Sequence, residues 1–398
     1  MKNPNSLAFL VFLGALAALP PFSIDMALPA LREIGHSLDT TPGMTGLTLS
    51  FFMVGFAATP VVYGPLSDRF GRRPLLAVAV ALFTLGSLAA SASTSISALL
   101  GARFVEGAGA GGGTALAFAL VRDCFEGAAG RAKLSHMQMV MGVAPMIAPS
   151  IGAVLLFVGW RSIYATLALG GIALLLAIWL GLAETHKNPV RHGSLFGQVA
   201  QGYGLLLSHR AALGYALVFG VSFGVQFSFI SGSPLVFIGH YGLSAQLYGL
   251  VFAAASAGIM LGALSNPLFS RLGLDHGTVL KAGLGLYLFT GLGMAALLAA
   301  GLAGPWSLAA LLVFSAYAYG LITPNASHGT MHALPEIAGI AGAVLTTLQM
   351  SVAVLASVIV AASFARFGVA AMVVPMLGFG LATNALYFLM VRPALARA

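Results

Sequence analysis

The chain has 398 residues, of which 59% are hydrophobic and only 7% charged, with a formal net charge of +8. Soluble domains carry about 25% charged residues, so a water-exposed globule is excluded and lipid is the expected solvent for most of the chain. The basic residues are scattered through short connections without aromatic interleaving, which argues against nucleic acid as a partner, and the lone Cys124 excludes an intramolecular disulfide.

A bilayer span takes about 20 apolar residues. Twelve stretches qualify: Leu7–Pro29, Met44–Leu66, Leu75–Ser93, Ala98–Val121, Leu134–Val158, Ile163–Ala183, Ala212–Gly239, Leu247–Phe269, Val279–Ala300, Leu308–Gly329, Ile340–Phe364 and Ala370–Val391. The expected fold is all-α, with twelve transmembrane helices. The first stretch follows Lys2 but has no clean small-residue cleavage site, so it reads as a retained span and not a signal peptide. With the N-terminus inside, fourteen Lys and Arg residues fall in cytoplasmic segments, against Arg32, Arg161 and Arg366 outside. Such a bias sets orientation and predicts two cytoplasmic termini.

Asp25 lies near the outer end of the first span, in PPFSIDMALP. Between spans two and three runs GPLSDRFGRRP, one of the densest charge clusters in the chain, with Gly64 and Gly71 bracketing a predicted turn that holds Asp68, Arg69, Arg72 and Arg73. Span four carries Arg103 and Glu106, three residues apart and so on one helix face. Charged side chains at the bilayer centre cost about 2.5–3.5 kcal/mol each, so both residues, like Asp25, are candidates for function. Spans one and four run in opposite directions. At about 1.5 Å per residue, Asp25 and Arg103 each sit roughly 6–9 Å from the outer end and are placed to pair if the helices are neighbours. Burial favours the neutral form of a carboxyl and a nearby arginine the ionised form, which makes Asp25 and Glu106 alternative proton-coupling groups. Capping by Asp25 and simple neutralisation of Arg103 by Glu106 are the bland readings. The formal GxGxxG at Gly107, Gly109 and Gly112 lacks the strand and crossover unit of a nucleotide site and reads as close helix packing.

The longest hydrophilic connection, from Glu184 to Arg210, divides the chain into an N-terminal six-helix bundle (1–183), a cytoplasmic linker (184–211) and a C-terminal six-helix bundle (212–398). Gly64–Gly71 can be laid on Asn266–Gly273, with proline, leucine, arginine and glycine coinciding after the second span of each half. This is the trace of an internal repeat of the kind common in transporters. In the second half Phe223, Phe227, Phe229, Tyr317 and Tyr319 are aromatic candidates for a cavity wall, and Gln226, Asn325 and Gln349 are intramembrane polar groups. The residues expected to line a substrate cavity are Phe22, Asp25, Met26, Arg103, Met141, Phe223, Gln226, Phe227, Tyr317 and Gln349. His328 and His332 form an i,i+4 pair without a third ligand nearby in sequence, so no metal site is expected. No cofactor and no enzymatic constellation are expected either.

These motifs carry a resemblance. The whole chain resembles a twelve-helix major facilitator superfamily transporter. GPLSDRFGRRP is close to that superfamily's loop signature, RFVEGAGAGGG resembles its fourth-helix signature, and GVAPMIAPSIGAV, with Gly142, Pro145, Pro149 and Gly152, resembles the fifth-helix signature of proton-driven antiporters. FSIDMALPAL, ALVRDCFEG and PNASHGTMHALPEIAGIAGAVLTTLQM resemble the bacterial bicyclomycin and chloramphenicol resistance group. The resemblance implies proton-coupled export of small, mostly apolar drugs by a monomer in the bacterial inner membrane, with lipid, protons and drugs or metabolites as partners. It makes Asp25 the proton-coupling acid, with Arg103 as its partner, and gives the Gly64–Arg73 loop the role of a conformational latch. A same-fold carrier of a nutrient, nucleoside or metabolite is the alternative, and a channel or membrane enzyme the remote one.

Overall fold

A computed structural model describes residues 6–57, 59–125, 127–184, 204–333 and 338–395, apart from the side chains of a few residues, Asp68 and Arg131 among them. Among the described residues the regular structure is helical, and eleven helices are long and apolar enough to cross a membrane. Pro42–Ala57 is a shorter apolar helix. Large apolar side chains stand on the outside, with Leu180 84%, Val158 83% and Phe157 80% exposed. That distribution suits hydrocarbon as the surrounding solvent.

The chain divides into two compact units, Met1–Gly193 and Ser194–Ala398. The first holds α1 (Leu7–Asp25), a 3₁₀ turn (Leu28–Ala30), α2 (Leu31–Ser37), α3 (Pro42–Ala57), α4 (Thr59–Phe70), α5 (Arg72–Ser91), α6 (Ile96–Cys124), α7 (Gly127–Leu155) and α8 (Trp160–Gly181). The second holds α9 (Arg210–Pro234), α10 (Ala245–Arg271), α11 (His276–Ala299), α12 (Pro305–Ala333), α13 (Ala338–Phe367), α14 (Ala370–Leu386) and α15 (Arg392–Leu395). The expected linker lies for the most part outside the described residues.

In the first unit α6 is the central element, packed against α3 and α5. Its glycines explain how. A Cβ on Gly107 would stand 2.1 Å from the Phe52 carbonyl oxygen of α3, and one on Gly109 would stand 2.2 Å from the Phe83 nitrogen of α5. The small residues let both neighbouring backbones close in. Pro20 and Pro21 lie inside α1 and remove backbone donors. The carbonyl of Leu16, four residues before Pro20, shares the Thr114 hydroxyl of α6 at 3.5 Å with the Ala110 carbonyl at 3.0 Å. α1 then ends at Asp25, and the chain passes through the 3₁₀ turn into α2. The first crossing is thus longer than the sequence suggested, Leu7–Ser37.

The turn predicted between Gly64 and Gly71 contracts to one residue. Helix α4 runs on to Phe70, and only Gly71, at φ 96° and ψ 155°, breaks it before α5 begins at Arg72. Pro74, in the first turn of α5, has no intrahelical donor to lose there.

Candidate functional site

The buried polar centre of the first unit is built on α6 by Arg103 and Glu106, both 0% exposed. Arg103 Nη1 donates to Glu106 Oε2 at 2.6 Å and to Ser23 Oγ of α1 at 2.8 Å. Ser23 Oγ donates in turn to Glu106 Oε1 at 2.7 Å, and Ser87 Oγ of α5 lies 3.1 Å from the same oxygen. The guanidinium lies over Phe52 (4.5 Å) and Tyr164 (5.5 Å), a geometry in which the ring faces attract the cation. Arg103 Nε and Nη2 and the Tyr164 hydroxyl have no hydrogen-bond partner. Glu106 therefore answers the charge of Arg103, and the pair joins α1, α5 and α6.

The pairing of Asp25 with Arg103 is not the one formed. Asp25 is 4% exposed, and its carboxylate has no ion pair or hydrogen bond among the described residues. Ser23, two residues earlier, faces α6. Positions two apart on an α-helix are about 200° around the axis, so the side that brings Ser23 to Arg103 turns Asp25 away. Asp25 sits instead where α1 breaks, next to Met26. A Cβ on Gly152 of α7 would stand 2.0 Å from the Met26 carbonyl oxygen. Gly152 is therefore the point at which α7 presses on the turn that carries Asp25. Pro145 and Pro149 lie inside α7 as expected, whereas Gly142 has open space around it.

The other residues expected at a cavity lie on elements of both units. Phe22 and Met26 line a 980 Å³ apolar groove between α1 and α8, whose wall includes Leu19, Ile151 and Leu174. Arg103 is enclosed within the first unit and lines no open wall there. In the second unit Phe227 is 1% exposed and belongs to the core, with its ring 5.6 Å from Phe223. Phe223 lies 5.9 Å from Tyr319, whose hydroxyl accepts from Gln349 Nε2 at 2.9 Å. Tyr317, two residues from Tyr319, donates to Ser265 Oγ on α10 at 3.0 Å. Gln226 is buried, and Met141 is half-buried on α7. Tyr317 and Tyr319 thus meet different partners, because residues two apart on a helix face opposite ways.

Arg72 Nε donates to Asp123 Oδ2 at 2.8 Å, and its Nη1 reaches Ser67 Oγ. Arg73 Nη2 donates to the Trp179 carbonyl at 2.9 Å, while Arg69 is exposed over Phe70. Gly64 and Asp68 lie on α4, but their side-chain surroundings, like Glu126, fall outside the described residues. Sequence reasoning missed Glu184. Its carboxylate accepts the backbone N–H of Arg72 (2.9 Å) and of Arg73 (3.1 Å), so it caps the N-terminus of α5, where an anion is favoured. A Cβ on Gly71 would stand 2.7 Å from Glu184 Oε2. The glycine is needed for its backbone angles and for this approach together.

The second unit repeats the arrangement with neutral groups. The offset that lays Gly64 on Asn266 also lays Asp123 on Asn325. Asn325 Nδ2 donates to Asn266 Oδ1 (2.6 Å), and His276, the first residue of α11, meets Asn325 Oδ1 through Nδ1 at 3.0 Å. The position of Asp123 in the first clasp is thus taken by Asn325 in the second, while the same offset lays Arg72 on Leu274 and Pro74 on His276.

A two-unit, helical, multi-pass membrane architecture with glycine-dense packing and a buried arginine–glutamate pair defines a class of membrane transporter, and comparison with known proteins agrees. The Major Facilitator Superfamily description matches residues 10–357, and the chain belongs to that family. An uncharacterized MFS-type transporter of Bacillus subtilis is 37% identical over 264 residues, 66% of this chain, and the chain spans 65% of that relative's length. A bicyclomycin resistance protein homolog of Haemophilus influenzae is 28% identical over 90% of both chains. Multidrug resistance protein D of Escherichia coli is 28% identical over 88% of this chain and 87% of its own. Among solved structures, a bacterial homolog of the human lysosomal transporter Spinster superposes with a TM-score of 0.76 at 16% identity, covering 97% of each chain. A D-xylose–proton symporter gives 0.73 at 17%, covering 96% of this chain and 98% of its own. At these identities the structural likenesses establish the fold.

Proposed function

We propose that this chain is a proton-coupled exporter of small, mostly apolar drugs, with Asp25 as the proton-carrying group. The observation that carries the reading is Asp25 itself, a buried carboxylate without a partner among the described residues at the break in α1, beside the close contact of Gly152 with Met26. A structural carboxylate inside a membrane protein is normally paired, as Glu106 is with Arg103. Glu106 is accordingly the fixed counter-ion, and Asp25 is free to exchange a proton. The names of relatives aligned over most of this chain, a bicyclomycin resistance homolog and a multidrug resistance protein, support drugs as the substrate class.

The reading counts twelve crossings, taking Pro42–Phe70 as the twelfth, in a bacterial inner membrane with both termini cytoplasmic. Transport proceeds by alternating access, with the substrate site open to each side of the membrane in turn. Drug arrival favours loss of the Asp25 proton, and reprotonation from outside resets the carrier. One proton moving down a potential of 100 mV supplies about 2.3 kcal/mol, plus any pH gradient. The Gly64–Arg73 loop acts as the latch. Its clasp to Asp123 and Glu184 keeps α4 and α5 in register.

The test is drug susceptibility and drug accumulation in cells with and without the gene, across a panel of apolar antibiotics at two external pH values. Reduced accumulation that deepens at the more acidic external pH is expected. Unchanged susceptibility, together with uptake of a nutrient or nucleoside, would replace the export reading with that of a same-fold carrier.

A further inference from the structure

The second unit contains a cavity of 640 Å³ at the ends of α9, α11 and α12, walled by His209, Arg210, His276, Asn325, His328 and His332. Four imidazoles on one wall are unusual in a chain with nine histidines among 398 residues. Three of them lie in series. The His276 and His328 ring centres are 4.6 Å apart, and those of His328 and His332 are 5.6 Å apart. Two imidazoles on one divalent ion, each with nitrogen at about 2.0–2.1 Å, have centres roughly 4.5–5.2 Å apart for octahedral and tetrahedral geometries. The observed spacings lie close to that range.

Hydrogen bonding fixes the state of His276. The Leu321 carbonyl, which only accepts, lies 2.7 Å from Asn325 Nδ2, so the amide nitrogen must face it. The other hydrogen of that nitrogen goes to Asn266 Oδ1 at 2.6 Å. Asn325 Oδ1 therefore faces His276 Nδ1 and must receive a hydrogen from it, and neutral His276 is left with a bare Nε2. A ring nitrogen donating to a carbonyl while its partner nitrogen stays free is the support that metal-binding histidines use. His209 is in the opposite state. Its Nδ1 accepts from the Ala212 N–H at 3.2 Å, which puts the hydrogen on Nε2 and leaves it without a free lone pair.

We propose that His276, His328 and His332 form a site for a divalent transition ion of the Zn²⁺ or Co²⁺ type. No three such side chains among the described residues converge on an ion as they stand. His328 and His332 are exposed, so their rings turn toward His276, which keeps its bond to Asn325, without displacing a packed core. His328 and His332, one turn apart, supply the chelating pair from α12, and His276 supplies the third nitrogen from the start of α11. Occupancy ties these two helix ends together through the side of the unit that holds the neutral clasp. Arg210, on the same wall, adds positive charge that weakens the affinity. The inference does not depend on what the protein transports.

The test uses the full chain in detergent, purified without a histidine tag and titrated with Co²⁺ while visible absorption is followed, then with Zn²⁺ in competition. One ion per chain is expected, displaced by Zn²⁺. His276→Ala and His328→Ala should each weaken binding at least tenfold, and Asn325→Leu, which releases the His276 tautomer, should weaken it about 10–100-fold. His240→Ala and His209→Ala should bind as the parent does. Each variant is compared at equal elution volume in gel filtration, so loss of fold is seen separately. Equal binding by the parent and the His276→Ala/His328→Ala double variant overturns the site, as does no binding by the parent up to millimolar ion.

Discussion

Replacing Glu106 with leucine removes the charge that balances Arg103 while keeping the volume. Both groups are 0% exposed, with Nη1 and Oε2 at 2.6 Å. Charge centres roughly 4 Å apart at an effective dielectric constant of about 20 attract by about 4 kcal/mol. Removing one partner of a buried pair typically costs about 3–5 kcal/mol, because the remaining charge is left uncompensated. The two figures agree, and Ser23 also loses its acceptor. Glu106→Leu should therefore destabilise the first unit by about 3–5 kcal/mol. The Arg103→Leu/Glu106→Leu double variant should recover most of that loss, since replacing a whole buried pair by apolar groups is often neutral. Equilibrium unfolding in mixed micelles, followed by tryptophan fluorescence, measures both. Trp160 packs edge-on against Tyr164 with ring centres 6.0 Å apart and reports on the region. A loss under about 1 kcal/mol for the single variant would show that another anion balances Arg103, and no recovery in the double variant would show that its uncompensated charge is not the source of the loss.

Three further outcomes follow from the same contacts. Gly71→Ala places a side chain in a backbone region open almost only to glycine, costing about 1–3 kcal/mol, and drives a methyl into Glu184; a melting temperature equal to that of the parent would refute the dual role given to Gly71. Glu184→Ala uncaps α5 and should lower the melting temperature, with Glu184→Gln restoring only part of the loss, since its single amide oxygen accepts one of the two N–H groups; equal loss in both would assign the effect to charge alone. Gly152→Leu should abolish drug transport at normal membrane abundance, because even its Cβ would stand 2.0 Å from the Met26 carbonyl; retained transport would detach α7 from the Asp25 turn.

Much of the site was legible where chemistry is local. The Arg103–Glu106 spacing alone puts both on one helix face, and the Gly64–Arg73 charge cluster stands out against its apolar surroundings. What sequence spacing could not deliver is azimuth. Asp25 and Arg103 share a depth, but the face of α1 that meets α6 is the one carrying Ser23, and the same two-residue difference separates Tyr317 from Tyr319. Long-range partners were also hidden. Glu184 is more than a hundred residues from the loop it caps and reads as the first polar residue of a linker. His276 is the neighbour of His328 only because α11 starts where α12 ends.

The central claim is that Asp25 carries the proton that drives export. The direct measurement is drug-driven proton movement in proteoliposomes holding purified parent or Asp25→Asn protein, with an internal pH-sensitive dye. The account predicts a drug-dependent pH change for the parent and none for Asp25→Asn, while Asp25→Glu retains part of it and all three bind drug. Drug-driven proton movement that persists in Asp25→Asn would contradict it.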